Sequence, residues 1–169
     1  MGNVAKLSAR GMDLNRTSAT PASFEILPFS SPDLDALYII DQECFPPGIS
    51  YSRAELSRFV HHRQSKTWVA RSQDRIVGFL IFGCEPQKTG HIVTIDVIES
   101  MRGAGAGTAL MTTTEAWAVR RGLRLIYLET AEDNRSAQIF YSARGYVKVE
   151  EIAHYYSNGQ TAWVMVKWL

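Results

Sequence analysis

The sequence predicts a single mixed α+β domain, built on one mostly antiparallel sheet of about six or seven strands with about four flanking helices. Short apolar or alternating segments separated by turn residues fill the first half, and hairpin-connected strands of this kind pair antiparallel. A helical segment lies between two apolar segments over residues 92–130, which indicates one βαβ unit with parallel strands. Near the C-terminus, Asn158-Gly159 between two strand-like segments is a strong hairpin signal.

The domain is predicted to span residues 24–169. Residues 1–23 are rich in serine, threonine, alanine and glycine without a steady period, so they are predicted to form a flexible N-terminal tail. The alternating segment Phe24–Phe29 that follows indicates the first strand.

Two short helices are predicted next, and each has a recognisable start. Ser31 can cap a helix whose first residue is Pro32, and this helix should end near Cys44 with Asp41-Gln42 on its polar face. Ser52-x-x-Glu55 is a capping box, which opens a second helix reaching Arg63.

The remaining elements follow from apolar segments and the turn residues between them. The first group comprises strands Trp68–Ala70, Ile76–Phe82 and Ile92–Val97, separated by turns at Gln73–Arg75 and Glu85–Gly90. The second comprises helix Thr108–Arg121 ended by Gly122, strand Leu125–Thr130, helix Asn134–Arg144 ended by Gly145, and strands Tyr146–His154 and Ala162–Trp168.

Composition excludes several functional classes. The formal net charge is +1, so no basic field favours nucleic acid as a partner. No apolar run is long enough to span a bilayer, and no membrane partner is expected. The two cysteines, Cys44 and Cys84, form neither a disulfide framework nor a metal-ligand spacing, which favours a reducing cytoplasm and no metal. A monomer or weak dimer is expected.

A glycine-rich turn, Arg102-Gly103-Ala104-Gly105-Ala106-Gly107-Thr108, lies between a predicted strand and a predicted helix. Such a turn brings backbone N–H groups and the positive end of the helix dipole to a pyrophosphate. The dinucleotide motif G-x-G-x-x-G fails at Thr108 and at Leu110, and a P-loop would need lysine before Thr108. What remains is either a simple tight turn or the R-x-x-G-x-G signature of coenzyme A acetyltransferases, which Arg102, Gly105 and Gly107 match.

From Phe24 onward the sequence resembles the GNAT family of N-acetyltransferases, most closely over Ile92–Lys167, and the resemblance implies the GNAT fold. Within this family it is most similar to the RimI-type branch, which acetylates the N-terminal amine of a ribosomal protein. The segments that carry this likeness are Cys44-Phe45-Pro46, Leu128-Glu129-Thr130, the N-x-x-A-x-x-x-Y pattern of Asn134–Tyr141, and Tyr155-Tyr156 before Asn158-Gly159. Glu99, Thr130 and Tyr146 depart from the usual family residues, but none of them removes a group that the chemistry needs.

The resemblance implies acetyl-CoA as the cofactor. Residues Arg102, Gly103, Ala104, Gly105, Ala106, Gly107 and Thr108 would hold its pyrophosphate, mainly through backbone N–H groups. Arg102 would either add charge or only cover the surface. Ile95, Asp96 and Val97 would pair with the pantetheine arm at a gap opened by a β-bulge. The N–H of Val97 would then polarise the thioester carbonyl.

Two residues are predicted to move protons. Glu129 at the end of an apolar parallel strand resembles the general base of the RimI-type branch, acting directly or through water; otherwise it is an exposed carboxylate or a cap for the next helix. Tyr141 resembles the general acid for the leaving thiolate; otherwise it is a core aromatic. Asn134, two turns before Tyr141 on the same helix face, would cap the helix, bind the cofactor, or do both.

The acceptor channel is predicted to include Phe45, Tyr51, Tyr155 and Tyr156, although strand alternation would point the last two to opposite faces. The acceptor would be the N-terminal amine of a protein or peptide, such as a ribosomal protein. Two alternatives remain: a small amine such as a polyamine, amino acid or antibiotic, or a coenzyme A-binding module without catalysis.

Overall fold

One sheet of seven strands organises residues 24–169, the part of the chain that the computed structural model describes. The strands are β1 (Glu25–Pro28), β2 (Ser65–Ser72), β3 (Arg75–Glu85), β4 (Thr89–Val97), β5 (Leu125–Ala131), β6 (Val147–Ile152) and β7 (Ala162–Trp168). Their order across the sheet is β1-β2-β3-β4-β5-β7-β6. The β4–β5 pair is parallel and the other pairs of this sheet are antiparallel, as predicted. The predicted flexible tail lies outside the described residues.

Helices cover the central strands from both sides. They are α1 (Leu34–Cys44), α2 (Arg53–His61), α3 (Ala106–Arg120) and α4 (Arg135–Ala143). Helix α1 packs against β3 and β4, and α3 packs against β1 to β4. The consecutive residues 77–82 of β3 are all buried, as expected for a strand covered on both faces. Within residues 24–169, no helix has the length and hydropathy needed to cross a membrane.

The caps predicted for the first two helices are confirmed with one correction. The Ser52–Glu55 capping box is present, because the Glu55 N–H donates to Ser52 Oγ at 3.3 Å and the Ser52 N–H donates to the Glu55 carboxylate at 2.8 Å. At the first helix the cap is Ser30 rather than Ser31. Its N–H donates to Asp33 Oδ2 at 2.8 Å, and this places Pro32 inside a short 3₁₀ turn that leads into α1.

The prediction that β6 extends to His154 is wrong. Strand β6 ends at Ile152, and His154 takes a φ of +56°, which breaks the extended backbone. Asn158-Gly159 does form a turn, with the Gly159 N–H donating to the Tyr156 carbonyl at 2.8 Å. This turn lies within a loop over residues 153–161, so Tyr155 and Tyr156 are loop residues and do not alternate along a strand.

Strands β4 and β5 diverge after three paired positions, the last of which joins His91 to Tyr127. A β-bulge lies next to the point of divergence. On β3, Ile81 and Phe82 are consecutive, whereas their partners Thr94 and Ile92 are separated by the extra residue Val93. The predicted bulge and splay are therefore present, and they open a gap between the C-terminal halves of the two parallel strands.

Candidate active site

A cavity of about 440 Å³ extends from the C-terminal end of β4 to the start of α3. Its walls come from β4, from the glycine-rich turn and from α4, and the lining includes Ile95, Val97, Arg102, Gly103, Gly105, Gly107, Thr108, Asn134, Phe140 and Tyr141. No acidic side chain is among the described residues that line it, and Arg102 is basic. This cavity, the first of two that adjoin, is therefore suited to an anionic ligand.

The glycine-rich turn contributes backbone rather than side chains. Gly105 precedes α3 with a φ of +103°, and Gly103 has a φ of +74°, conformations that favour glycine. The helix starts at Ala106, so the N–H groups of residues 106–108 have no partner within the helix and face an incoming anion. Ala104 is exposed and the side chain of Ala106 is buried; neither residue lines the cavity.

Arg102 braces the end of β4. Its Nε donates to the carbonyl oxygen of Val97 at 3.0 Å, and the Cys44 thiol donates to the same oxygen at 3.5 Å. Arg102 also lines the first cavity. Its positive charge therefore lies beside this cavity while its Nε holds the Val97 carbonyl.

The backbone of β4 presents free groups to the gap at alternate residues. The N–H of Ile98 donates to the Val77 carbonyl on β3 at 3.0 Å, which sets the antiparallel register. In such a ladder the N–H and C=O of every second residue point away from the partner strand. Ile95 and Val97 therefore direct these groups into the gap, whereas the backbone of Asp96 faces β3.

Asp96 differs from its predicted place at the cofactor. It lines neither cavity, its side chain is buried, and its Oδ1 accepts a hydrogen bond from Thr94 at 2.5 Å. Its Oδ2 has no hydrogen-bond partner among the described residues. Burial raises the pKa of Asp96 to about 8, because the hydrogen bond from Thr94 only partly offsets the loss of water.

Asp41 is a second buried carboxylate, contrary to its predicted place on the polar face of α1. Its Oδ2 accepts hydrogen bonds from the Tyr51 N–H at 2.8 Å and from Gln42 at 3.0 Å. Burial raises the pKa of Asp41 to about 6. The signal was in the spacing, since Leu34, Leu37 and Asp41 lie on one face of a helix. Asp41 thus ties α1 to the segment before α2.

Replacing Asp96 with asparagine should change the pH dependence of stability. The folded protein holds the Asp96 proton up to about pH 8, whereas the unfolded chain releases it near about pH 4. The contribution of Asp96 to stability therefore falls as pH rises through this window, and the amide of the Asp96→Asn variant has no such dependence. Between about pH 5 and pH 8, urea unfolding should show wild type losing more than about 1 kcal/mol relative to Asp96→Asn. Parallel curves for the two proteins would contradict this.

A second cavity of about 540 Å³ adjoins the first. The two share six residues, and both are lined by Cys44, Phe45, Ile95, Asn134, Ala137 and Tyr141. The second cavity also contains the carboxylates of Glu129 and Asp133, and no lysine, arginine or histidine is among its described lining residues. The charged residues that line the two cavities are therefore opposite in sign. An anion fits the first cavity and a cationic amine fits the second.

Glu129 lies on β5, and its side chain is 15% exposed. Its Oε2 lies 2.7 Å from Nε2 of His91 on β4. Glu129 also lines the second cavity, beside the gap. His91 was not predicted from the sequence, because its proximity to Glu129 depends on the register between two strands far apart in the chain.

Tyr141 lies on α4 at the junction of the two cavities and is only 7% exposed, and Asn134 lies two turns before it. Asn134 caps α4, since its Oδ1 accepts a hydrogen bond from the Ala137 N–H at 3.2 Å. Burial raises the pKa of Tyr141, so its phenol keeps the proton at neutral pH. No hydrogen bond holds the phenol to another described residue, so it is available to a ligand.

Two loops enclose the second cavity. Three residues predicted for the acceptor channel, Phe45, Tyr51 and Tyr156, line this cavity. The Ser157 hydroxyl donates to the carbonyl of Gly48, which joins the loop after α1 to the loop after β6. Tyr155 is not part of the lining; it is 45% exposed and packs edge-to-face on Tyr156.

Residues 34–146, more than half of the chain, match the Acetyltransferase (GNAT) family. The chain belongs to the GNAT family. It is therefore an acetyltransferase that uses acetyl-CoA, and the alternative of a coenzyme A-binding module without catalysis is set aside. The GNAT fold fits this donor here, because unpaired N–H groups of α3, the N–H groups of Ile95 and Val97, and Arg102 face one acid-free cavity.

Two curated GNAT relatives cover most of the chain. An uncharacterized N-acetyltransferase of Methanocaldococcus jannaschii is 33% identical over 82% of this chain and 88% of its own length. N-alpha-acetyltransferase 30 of Schizosaccharomyces pombe is 30% identical over 81% of this chain and 93% of its own length. Among solved structures, the ribosomal-protein-S18-alanine N-acetyltransferase of Escherichia coli superposes with a TM-score of 0.79 at 19% identity. The superposition covers 86% of this chain and 94% of the Escherichia coli chain. At this sequence identity the likeness shows that the two proteins share a fold.

Proposed function

We propose that this GNAT enzyme acetylates the N-terminal α-amine of a protein or peptide. The observation that carries the proposal is the second cavity, whose charged lining residues are both acidic and which meets the first cavity at Tyr141. Glu129 and Asp133 attract a protonated amine, and Phe45, Ile49 and Tyr51 offer apolar surface for the side chain of a first residue. The name of the Schizosaccharomyces pombe relative, an N-alpha-acetyltransferase, supports the same acceptor.

Proton movement is assigned to two side chains. When bound, acetyl-CoA supplies an acetyl thioester. The bound ammonium gives one proton to Glu129, directly or through water, and the neutral amine attacks the thioester; the second proton that the nitrogen then loses replaces the one that Tyr141 gives up. Tyr141 holds a proton on Oη, and this proton goes to the sulfur that leaves. The N–H of Val97 is directed into the gap because its neighbours Asp96 and Ile98 pair with β3, and it would be the donor for the reacting carbonyl oxygen.

A small amine is the second candidate. The contact between Ser157 and Gly48 joins the two loops that enclose the second cavity, and loops held together in this way would favour a short acceptor. A ribosomal protein as the particular acceptor stays a prediction, as does the cytoplasmic location, with which the free thiols of Cys44 and Cys84 agree.

An acetylation panel separates these acceptors. Purified protein and acetyl-CoA would be incubated with peptides that differ in their first residue, with the same peptides blocked at the α-amine, and with polyamines and free amino acids. Release of free thiol reports turnover, and mass spectrometry locates the acetyl group. We expect acetylation of peptides with a free α-amine. Peptides that contain lysine but are blocked at the α-amine should not be acetylated. Turnover confined to polyamines or amino acids would contradict the proposal.

A further inference from the structure

The pair His91–Tyr127 is the last rung of the β4–β5 ladder before the strands diverge. Glu129 is the next residue of β5 on the same face as Tyr127, since side chains alternate along a strand. His91 therefore lies at the vertex of the gap, and its ring reaches diagonally across to Glu129. The distance from Nε2 to Oε2 is 2.7 Å, and the two side chains are 22% and 15% exposed.

The imidazole of His91 is itself held in place. It is stacked on the ring of Tyr127, with centroids 4.4 Å apart and planes 4° from parallel. The Tyr127 hydroxyl donates to Glu85 Oε1 at 2.7 Å, which ties β5 to β3. A series of contacts thus runs from Glu85 through Tyr127 and His91 to Glu129, and it fixes both the position and the plane of the imidazole.

We propose that His91 is a positioning residue for Glu129: its Nε2–H holds Oε2 and leaves Oε1 to accept the proton of the acceptor amine. Oε1 has no hydrogen-bond partner among the described residues, whereas Oε2 is occupied by His91. A carboxylate held at one oxygen keeps the other in a fixed direction, which favours proton transfer. This inference rests on the proposed role of Glu129 in N-acetylation.

Two substitutions separate positioning from packing. His91→Phe keeps an aromatic ring to stack on Tyr127 but removes the donor, so kcat should fall about tenfold with the KM for acetyl-CoA within about twofold of wild type. His91→Gln restores an N–H donor without the ring. Its kcat should return to within about threefold of wild type.

A double variant tests whether His91 acts through Glu129. In a Glu129→Gln background, His91→Phe should cause no further loss of kcat. Undiminished kcat in His91→Phe, equal losses in the phenylalanine and glutamine variants, or a further loss in the double variant would each overturn the inference. Thermal unfolding of every variant checks that the fold is intact. If the wild-type protein acetylated no amine in the panel, the proposed function itself would fail, and this result is distinct from the three above.

Discussion

Replacing Tyr141 with phenylalanine is expected to lower kcat by about a hundredfold or more, with the Kd for acetyl-CoA within about twofold of wild type. The phenol lies at the junction of the two cavities and keeps its proton because it is buried. Phenylalanine retains the ring that packs edge-to-face on Phe140 and Tyr146, so the shape of the cofactor cavity is preserved. Steady-state kinetics and calorimetric titration of acetyl-CoA would measure the two quantities.

Tyr146→Phe is the matched control for this experiment. Tyr146 is also buried and contacts Tyr141, but it lines neither cavity. Its variant should keep the wild-type kcat, within about twofold. Equal losses of turnover and cofactor affinity in Tyr141→Phe would instead identify Tyr141 as a packing residue.

Replacing Glu129 with glutamine should lower kcat by about a hundredfold, because an amide cannot accept the amine proton at neutral pH. The loss should shrink as pH rises, since the acceptor amine is then deprotonated by solvent before it binds. Glutamine preserves the length of the side chain and can still accept the hydrogen bond from His91, so stability should change little. Profiles of kcat and kcat/KM against pH for both proteins would show this.

Glu132→Gln provides the comparison for Glu129. It removes a carboxylate from the loop that follows β5, yet Glu132 is exposed and lines neither cavity. If both variants lost activity to the same extent, the effect would arise from the overall negative charge near the second cavity. Glu129 would then attract the amine without accepting its proton.

Features of the fold that depend on local chemistry could be predicted from the sequence. The caps at Ser52 and Asn134 and the helix ends at Gly122 and Gly145 depend on neighbouring residues, and both glycines take a positive φ in the structure. The order of the elements follows from such signals together with apolar periodicity. The parallel pairing of β4 and β5 could be predicted from this order, because two neighbouring strands joined by a helix in one sheet lie parallel.

The remaining features of the site depend on tertiary contacts. His91 lies beside Glu129 only because β4 and β5 pair in one particular register. The buried state of Asp41 was open to prediction from its helical spacing, but an adjacent glutamine made this stretch of α1 look polar. Tyr155 is exposed because β6 ends at Ile152 and the backbone turns at His154. The positive φ of His154 could not be predicted from a single sequence.

In a protein of this architecture the central strands usually exchange their backbone hydrogens with solvent most slowly. Strand β4 is the fourth of seven in the sheet order, yet the N–H groups of Ile95 and Val97 face the gap rather than a neighbouring strand. Deuterium should therefore replace these two hydrogens as fast as those of a loop, while Asp96 between them exchanges slowly. Binding of acetyl-CoA in the gap should slow both, so that two alternate amides in the middle of the sheet report its occupancy.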